Sequence, residues 1–403
     1  MKKSSKILYH LVFFTTLSIV VFSLFAIIFP SFLMTTFYPY TTNLQPFESS
    51  VWLVPIISSN SILLVIGFAY YRKKLPLQIY KGIEFILNFE ISKKTALLTG
   101  IIILVVYIGF SLPELAIDEA TQYDDWGVLE SALEVWPSTD SDDIYINEQN
   151  TRYVRMLLLD ASSDLFQNIK LLPFVASILL VVVTFFLTYQ ITQKRFAGII
   201  SMVILLQSHT FLHFDTIAVY ENFWVLFYVV SLYAINKKWQ YSSISYLLSI
   251  FSKAFIAVFF LSSLYYICRA SISTRKKLYT LASYATSLIV ILLVFSFGES
   301  IYFDIINISS SEFFLAFNAL GYTLRYDLII VLSLLPLTLG LFFKFRKDNS
   351  KKVDSILVLI LTALLAGPVI SMLTDFYFIL PYRFLPLIVF VAVGIGVLLS
   401  KKN

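Results

Sequence analysis

Cysteine occurs once in this chain, at Cys268, which excludes an intrachain disulfide and a cysteine-built metal site. Cys268 lies in an apolar stretch beside a basic flank and reads as a packing residue. Charge is scarce too: charged residues make up 14% of the chain against 58% apolar ones, which excludes an ordinary soluble domain. The signatures of soluble enzymes are missing. No Gly-rich phosphate loop opens a helix, and there is no HExxH, nucleophile elbow or CxxC. No internal repeat is visible. The net charge of +5 is no nucleic-acid footprint, because the basic residues form small clusters beside apolar runs.

Those runs are long enough to cross a hydrocarbon core of ~30 Å. The expected fold is therefore all-α, a polytopic transmembrane helical bundle in a cell membrane. The first run, Leu11–Phe29, follows Lys2, Lys3 and Lys6 without a small-x-small cleavage site, so it reads as a retained anchor. Placing every Lys/Arg cluster on the cytoplasmic side gives about ten spans: 11–29, 51–71, 96–112, 168–190, 197–212, 216–235, 279–297, 327–345, 354–373 and 384–400. Both termini are then cytoplasmic. The outward segments are 30–50, 113–165, 209–216, 298–326 and 374–383. Segment 75–95 reads as an interfacial helix on the cytoplasmic face. Residues 241–268 carry basic flanks at both ends, which suits a hairpin of two half-helices with its tip near Ser252-Lys253-Ala254. A two-span extension over 1–95 thus precedes a membrane domain over 96–403.

The outward loop after the third run is the departure from this pattern. From Glu114 to Asp164 the chain turns acidic, beginning with Asp118 and Glu119 at the edge of an apolar run. Trp126, Leu129, Leu133 and Trp136 share one helical face, which predicts an amphipathic surface helix. Tyr153–Leu159 predicts a second, with Pro137–Asn150 between them as a mobile loop. Six cations fall outside the cytoplasmic clusters: Arg152, Arg155, Lys170, Lys253, Arg325 and Arg383. An ionisable group within a membrane costs roughly 2.5–3.5 kcal/mol, so Lys253 needs a partner or a task. Asn307-Ile308-Ser309 is a glycosylation triplet on an outward loop.

Outward acids (Asp118, Glu119, Asp215, Glu221) and outward or intramembrane cations (Lys253, Arg325, Arg383) suit sugar transfer from a lipid phosphate. Such a leaving group needs cations rather than a general acid, while the acceptor needs one carboxylate as base. Paired carboxylates, as in a glycosidase, are not required.

The chain resembles the GT-C superfamily of integral-membrane glycosyltransferases, in particular its protein O-mannosyltransferase and aminoarabinose-transferase branch. The resemblance rests on Ile117-Asp118-Glu119-Ala120, Lys194-Arg195-Phe196-Ala197-Gly198, Glu221-Asn222-Phe223-Trp224, Ser252-Lys253-Ala254 and Tyr382-Arg383-Phe384-Leu385-Pro386. It implies a polyprenyl- or dolichyl-phosphate sugar as donor and a protein, lipid or glycan as acceptor, used on the external face. Asp118 would be the base with Glu119 supporting it, and Asp124/Asp125 offer a second acidic pair for that role. Lys253 and Arg383, joined by Arg325, would hold the donor phosphate, and Asp215 and Glu221 would be supporting acids. The chain departs from the family in its two extra N-terminal spans, and in having no Gly or Pro beside Lys253. Asp118, Asp215 and Glu221 offer oxygen ligands for a divalent metal, but no such ion is assigned. His209 and His213, four apart, have no third ligand to make a zinc site and read as interfacial hydrogen-bonding groups. The rival reading is a polytopic transporter or lipid flippase with Lys253 and the acids on its path. A catalytically silent scaffold is the third.

Overall fold

The structure, a computed structural model, describes residues 3–37, 45–137, 144–297, 308–348, 351–374 and 380–400. Its regular secondary structure is all helical, with no strand among the described residues. Among the described residues, eight helical stretches are long and apolar enough to cross a membrane: Ile7–Ile28, Leu53–Tyr71, Lys93–Ala116, Leu171–Thr192, Thr274–Val294, Leu328–Arg346, Lys352–Thr374 and Pro381–Leu398. This is the architecture of a multi-pass membrane protein.

Two of the expected spans take another form. In place of 197–212 and 216–235 stand the shorter helices Arg195–Leu205 and Phe223–Lys237, with a single turn, His209–His213, between them. The chain then runs non-helically from Phe214 to Asn222, and every residue of that run is buried. The stretch 241–268 is also broken. The helix Ser242–Ser252 ends at Lys253, whose backbone is extended (φ −158°, ψ 116°), and a tight turn, Ala254–Phe259, leads into the helix Phe260–Arg269.

Two further helices lie where loops are expected. Ser310–Leu324 occupies most of the outward segment 298–326, and its sequence explains it. The hydroxyl of Ser309 accepts from the amide of Glu312, the Ser-x-x-Glu pattern that starts helices. Leu315, Phe317, Leu320 and Leu324 then recur at helical spacing as its buried face. Ile144–Asn150 is likewise helical, within the stretch read as mobile loop. Residues 138–143 and Asn307 of the glycosylation triplet lie outside the described residues. In the acidic loop, the helix Trp126–Val135 buries Leu129 and Ala132, and Tyr153–Phe166 runs longer than its apolar start suggests.

The described chain divides into two compact units. The first comprises Met1–Lys93, Thr188–Thr210 and Ile305–Asn403, and the second Lys94–Leu187 and Phe211–Asp304. In the first, helices approach closely at small residues. A Cβ at Gly396 would meet the Ala197 carbonyl oxygen at 2.7 Å, and one at Gly321 the Ala26 backbone at 3.3 Å. Close backbone approach of this kind is how helices pack where lipid supplies no hydrophobic drive. Tyr9 stacks on Phe345 (3.7 Å between ring centres) and donates to the Phe342 carbonyl at 2.6 Å.

In the second unit the helices Phe223–Lys237 and Ser242–Ser252 are joined by hydroxyls. Ser249 donates to the Trp224 carbonyl (2.6 Å) and Ser242 to that of Ser231 (2.9 Å). Tyr246 and Tyr284 stack nearby at 4.9 Å.

Candidate functional site

The buried non-helical run 214–222 is the centre of the second unit. Each backbone group buried without a partner costs about 1–3 kcal/mol, so irregular chain at this depth must have its partners supplied. Side chains from three other segments, and Asn222 of the run itself, supply them.

The carboxylate of Glu119 accepts the amides of Ala218 (2.6 Å) and Val219 (3.0 Å), one on each oxygen. The Arg155 guanidinium donates to the carbonyl of the same Val219 (2.8 Å), and at longer range to that of Ala218 (3.4 Å). Ser177 donates to the Asp215 carbonyl at 2.7 Å. Asn222 reaches back to the Phe214 carbonyl (3.2 Å) and to the Ser177 hydroxyl (2.9 Å). The run is thus held open by charge and hydroxyls rather than by secondary structure.

These partners form two ionic clusters sharing one peptide. In the first, the Lys170 ammonium stands 4.0 Å from Glu119 and donates to the carbonyls of Glu114 (2.7 Å) and Ile117 (3.1 Å). It also lies in the field of Asp118 and Asp215. In the second, Arg155 pairs with Glu221 at 2.8 Å, both side chains being almost fully buried. Its guanidinium also donates to Gln149. Lys253 lies in the field of Glu221, with its ammonium 5.6 Å from the Trp224 ring. The Ala218–Val219 peptide connects the two, taking Glu119 on its amides and Arg155 on its carbonyls.

Electrostatics separate the two neighbouring acids of the loop. Asp118 is exposed, and its carboxylate accepts the Ala120 amide (3.0 Å), capping the short turn Glu119–Thr121. Glu119 is buried. Burial pushes its carboxyl up, against the pull of the Ala218 and Val219 amides and of Lys170 and Arg155. Asp215 is also buried and receives the Ser111 hydroxyl on one oxygen at 2.7 Å, with the Tyr107 hydroxyl also acting on its carboxyl. Burial pushes Asp215 up to about 7, Ser111 opposing.

Of the residues singled out in the sequence, Asp118, Glu119, Asp215, Glu221 and Lys253 all fall in the second unit and, through Lys170 and Arg155, in one connected network. Arg325 and Arg383 belong to the first unit. Arg383 lies on the turn Pro381–Phe384 with its guanidinium 5.8 Å from the Tyr382 ring. Arg325 follows the helix Ser310–Leu324, and the Nε of its half-buried side chain has no hydrogen-bond partner among the described residues. Asp118, Asp215 and Glu221 do not form a metal cage, and no group of three metal-ligating side chains gathers among the described residues. His209 and His213 pack on aromatic rings, of Tyr326 and Phe214 respectively.

Sequence reasoning passes over Ser111, Ser177 and Asn222 as ordinary polar residues in apolar surroundings. Asp327 escapes it too. In the first unit this buried carboxylate takes the Ser208 hydroxyl (2.5 Å) and that of Thr210. The signal for Asn222 was present: a Glu-Asn pair inside an apolar run has to be solvated by something.

No protein-family model, no curated protein and no solved structure matches the chain.

Proposed function

We propose that the chain is a membrane glycosyltransferase that moves one sugar from a polyprenyl-phosphate donor to an acceptor on the external face. The observation carrying this reading is the connected path from an exposed carboxylate, Asp118, through Glu119, the Ala218–Val219 peptide, Arg155 and Glu221 to a buried ammonium, Lys253. Irregular backbone buried in a membrane protein is tolerated where it is enclosed by protein or lines a cavity, and ligand sites are built from such breaks. Here two breaks, 214–222 and Lys253, meet through Glu221.

In the proposed step Asp118 takes the proton of the acceptor hydroxyl as that oxygen attacks the anomeric carbon. The bond from that carbon to the phosphate oxygen breaks, and the lipid phosphate leaves with the electron pair. Lys253 stabilises the charge that develops on it. Glu119 is a positioning residue: its bonds to Ala218 and Val219 fix the turn that presents Asp118.

The test is incubation of the purified chain with a panel of labelled polyprenyl-phosphate sugars. Wild type should consume one of them. Asp118→Asn should slow that consumption by about 10²–10⁴, the usual contribution of a positioned base, with insertion and unfolding temperature unchanged. Consumption unaffected by Asp118→Asn removes Asp118 from the chemistry. If no donor is consumed while proteoliposomes move a lipid-linked sugar across the bilayer, the transporter reading replaces this one.

A further inference from the structure

The first unit encloses an apolar cavity of about 560 Å³ that plays no part in the reading above. Its size is that of a ligand pocket, for which ~300–1,000 Å³ is usual. Its walls come from membrane-crossing helices: Leu63, Gly67 and Phe68 on one, Leu339 and Phe343 on the second, Leu398 on the third. The remaining wall is the helix Leu77–Asn88, which contributes Tyr80, Ile83 and Leu87. That helix buries none of its residues, yet Leu77, Ile79, Phe85 and Ile86 are apolar and exposed, the pattern of a helix lying in a membrane interface.

The chemistry changes at the rim. Lys73 and Lys344 line the cavity, and Arg72 and Lys74 flank the first of them. Lys73 sits in the left-handed turn (φ 55°) that ends the helix Leu53–Tyr71, its amide donating to the Tyr70 carbonyl at 3.0 Å. Lys344 donates to the Ser400 carbonyl. The acid nearest Lys73 in sequence, Glu84, accepts the hydroxyls of Tyr70 (2.7 Å) and Tyr80 (3.2 Å) and the Asn88 amide (3.1 Å). An apolar chamber walled by membrane helices, with a cationic rim at interfacial depth, complements an anionic phospholipid.

We propose that this cavity holds an acyl chain of one anionic phospholipid, whose phosphate rests on Lys73 and Lys344. A Cβ added at Gly67 would meet nothing within 4 Å, so the wall there faces open space. A large side chain at this position fills the chamber without displacing its lining.

The experiment compares unfolding temperature and lipid retention in native mass spectra for the detergent-purified full chain. The additions are phosphatidylglycerol, phosphatidylcholine with the same acyl chains, and glycerol phosphate without chains. Phosphatidylglycerol should be retained one per chain and raise the unfolding temperature above the other two. Gly67→Phe should lose that retention while unfolding no lower than the wild type without added lipid. Lys73→Gln, an exposed change that leaves the chamber intact, should weaken phosphatidylglycerol roughly fivefold and phosphatidylcholine, whose choline offsets its phosphate charge, clearly less, as expected for one lysine beside a net anionic headgroup. Equal stabilisation by both lipids means a nonspecific lipid annulus and overturns the proposal. So does glycerol phosphate acting as well as the lipid, or Lys73→Gln leaving the preference unchanged.

Discussion

The two units handle buried charge differently. In the first, ionisable side chains sit at helix ends. Lys194 donates to the Leu87 carbonyl (3.1 Å) just before the helix Leu77–Asn88 ends, and Asp327, just before Leu328–Asp348, takes hydroxyls from Ser208 and Thr210. In the second, Glu119 and Arg155 serve a stretch with no helix at all, and their bonds replace the ladder it lacks. The first arrangement finishes regular structure; the second substitutes for it. A buried ion that substitutes for secondary structure should therefore be far harder to remove than one that caps it.

The strongest way to break this contrast is Glu221→Gln, which leaves the Arg155 guanidinium buried without its counter-charge. It should destabilise the chain by about 3–5 kcal/mol, read as a fall in unfolding temperature in detergent. The double change Arg155→Met/Glu221→Gln sharpens the point. If the pair only neutralises itself, the double variant recovers most of that loss; if Arg155 is needed for the Val219 carbonyl, it does not.

Asn222→Ala is the next step down. It strips the Phe214 carbonyl and the Ser177 hydroxyl of a donor and should cost about 1–3 kcal/mol by the same measurement.

Asp215 gives a pH-dependent version. Its carboxyl is raised to about 7 in the folded chain, so its stabilising contribution is complete below the ordinary carboxylate range and is lost as pH rises through about 7. The unfolding free energy of wild type relative to Asp215→Asn should therefore fall between about pH 4 and pH 8. A flat difference across that window would show the carboxyl to be unperturbed.

The smallest effect is expected in the first unit. Gly67→Ala, in the helix Leu53–Tyr71 and facing open space, should stabilise by about 0.5–1 kcal/mol through helix propensity alone.

How much of this was legible beforehand follows from the range of each signal. Helix and membrane character are written in apolar runs, which is why eight expected spans coincide with helices of crossing length. The break at Lys253 was legible for the opposite reason, a lone charge in such a run. The run 214–222 was not, because Phe223–Lys237 continues its apolar pattern and the two read as one span. Its partners lie 63 and 99 residues away, beyond any local pattern. The helix Ser310–Leu324 was legible but passed over, since Ser309 and Glu312 mark its start in the letters themselves. For the candidate site, composition pointed to the acids and to Lys253, Arg155 and Lys170, but pairing Arg155 with Glu221 needed three dimensions.

The direction of the chain gives the supports of 214–222 a timetable. Glu119, Arg155 and Ser177 all precede the segment they hold, so a ribosome adding about 5–20 residues per second makes the props seconds before the backbone that needs them. Bare amides and carbonyls emerging at Ala218 and Val219 thus find receptors already waiting. Reversing that sequence, by a circular permutation that moves Lys94–Lys170 behind Asn222, would leave the same contacts available at the end but unprotected backbone during insertion.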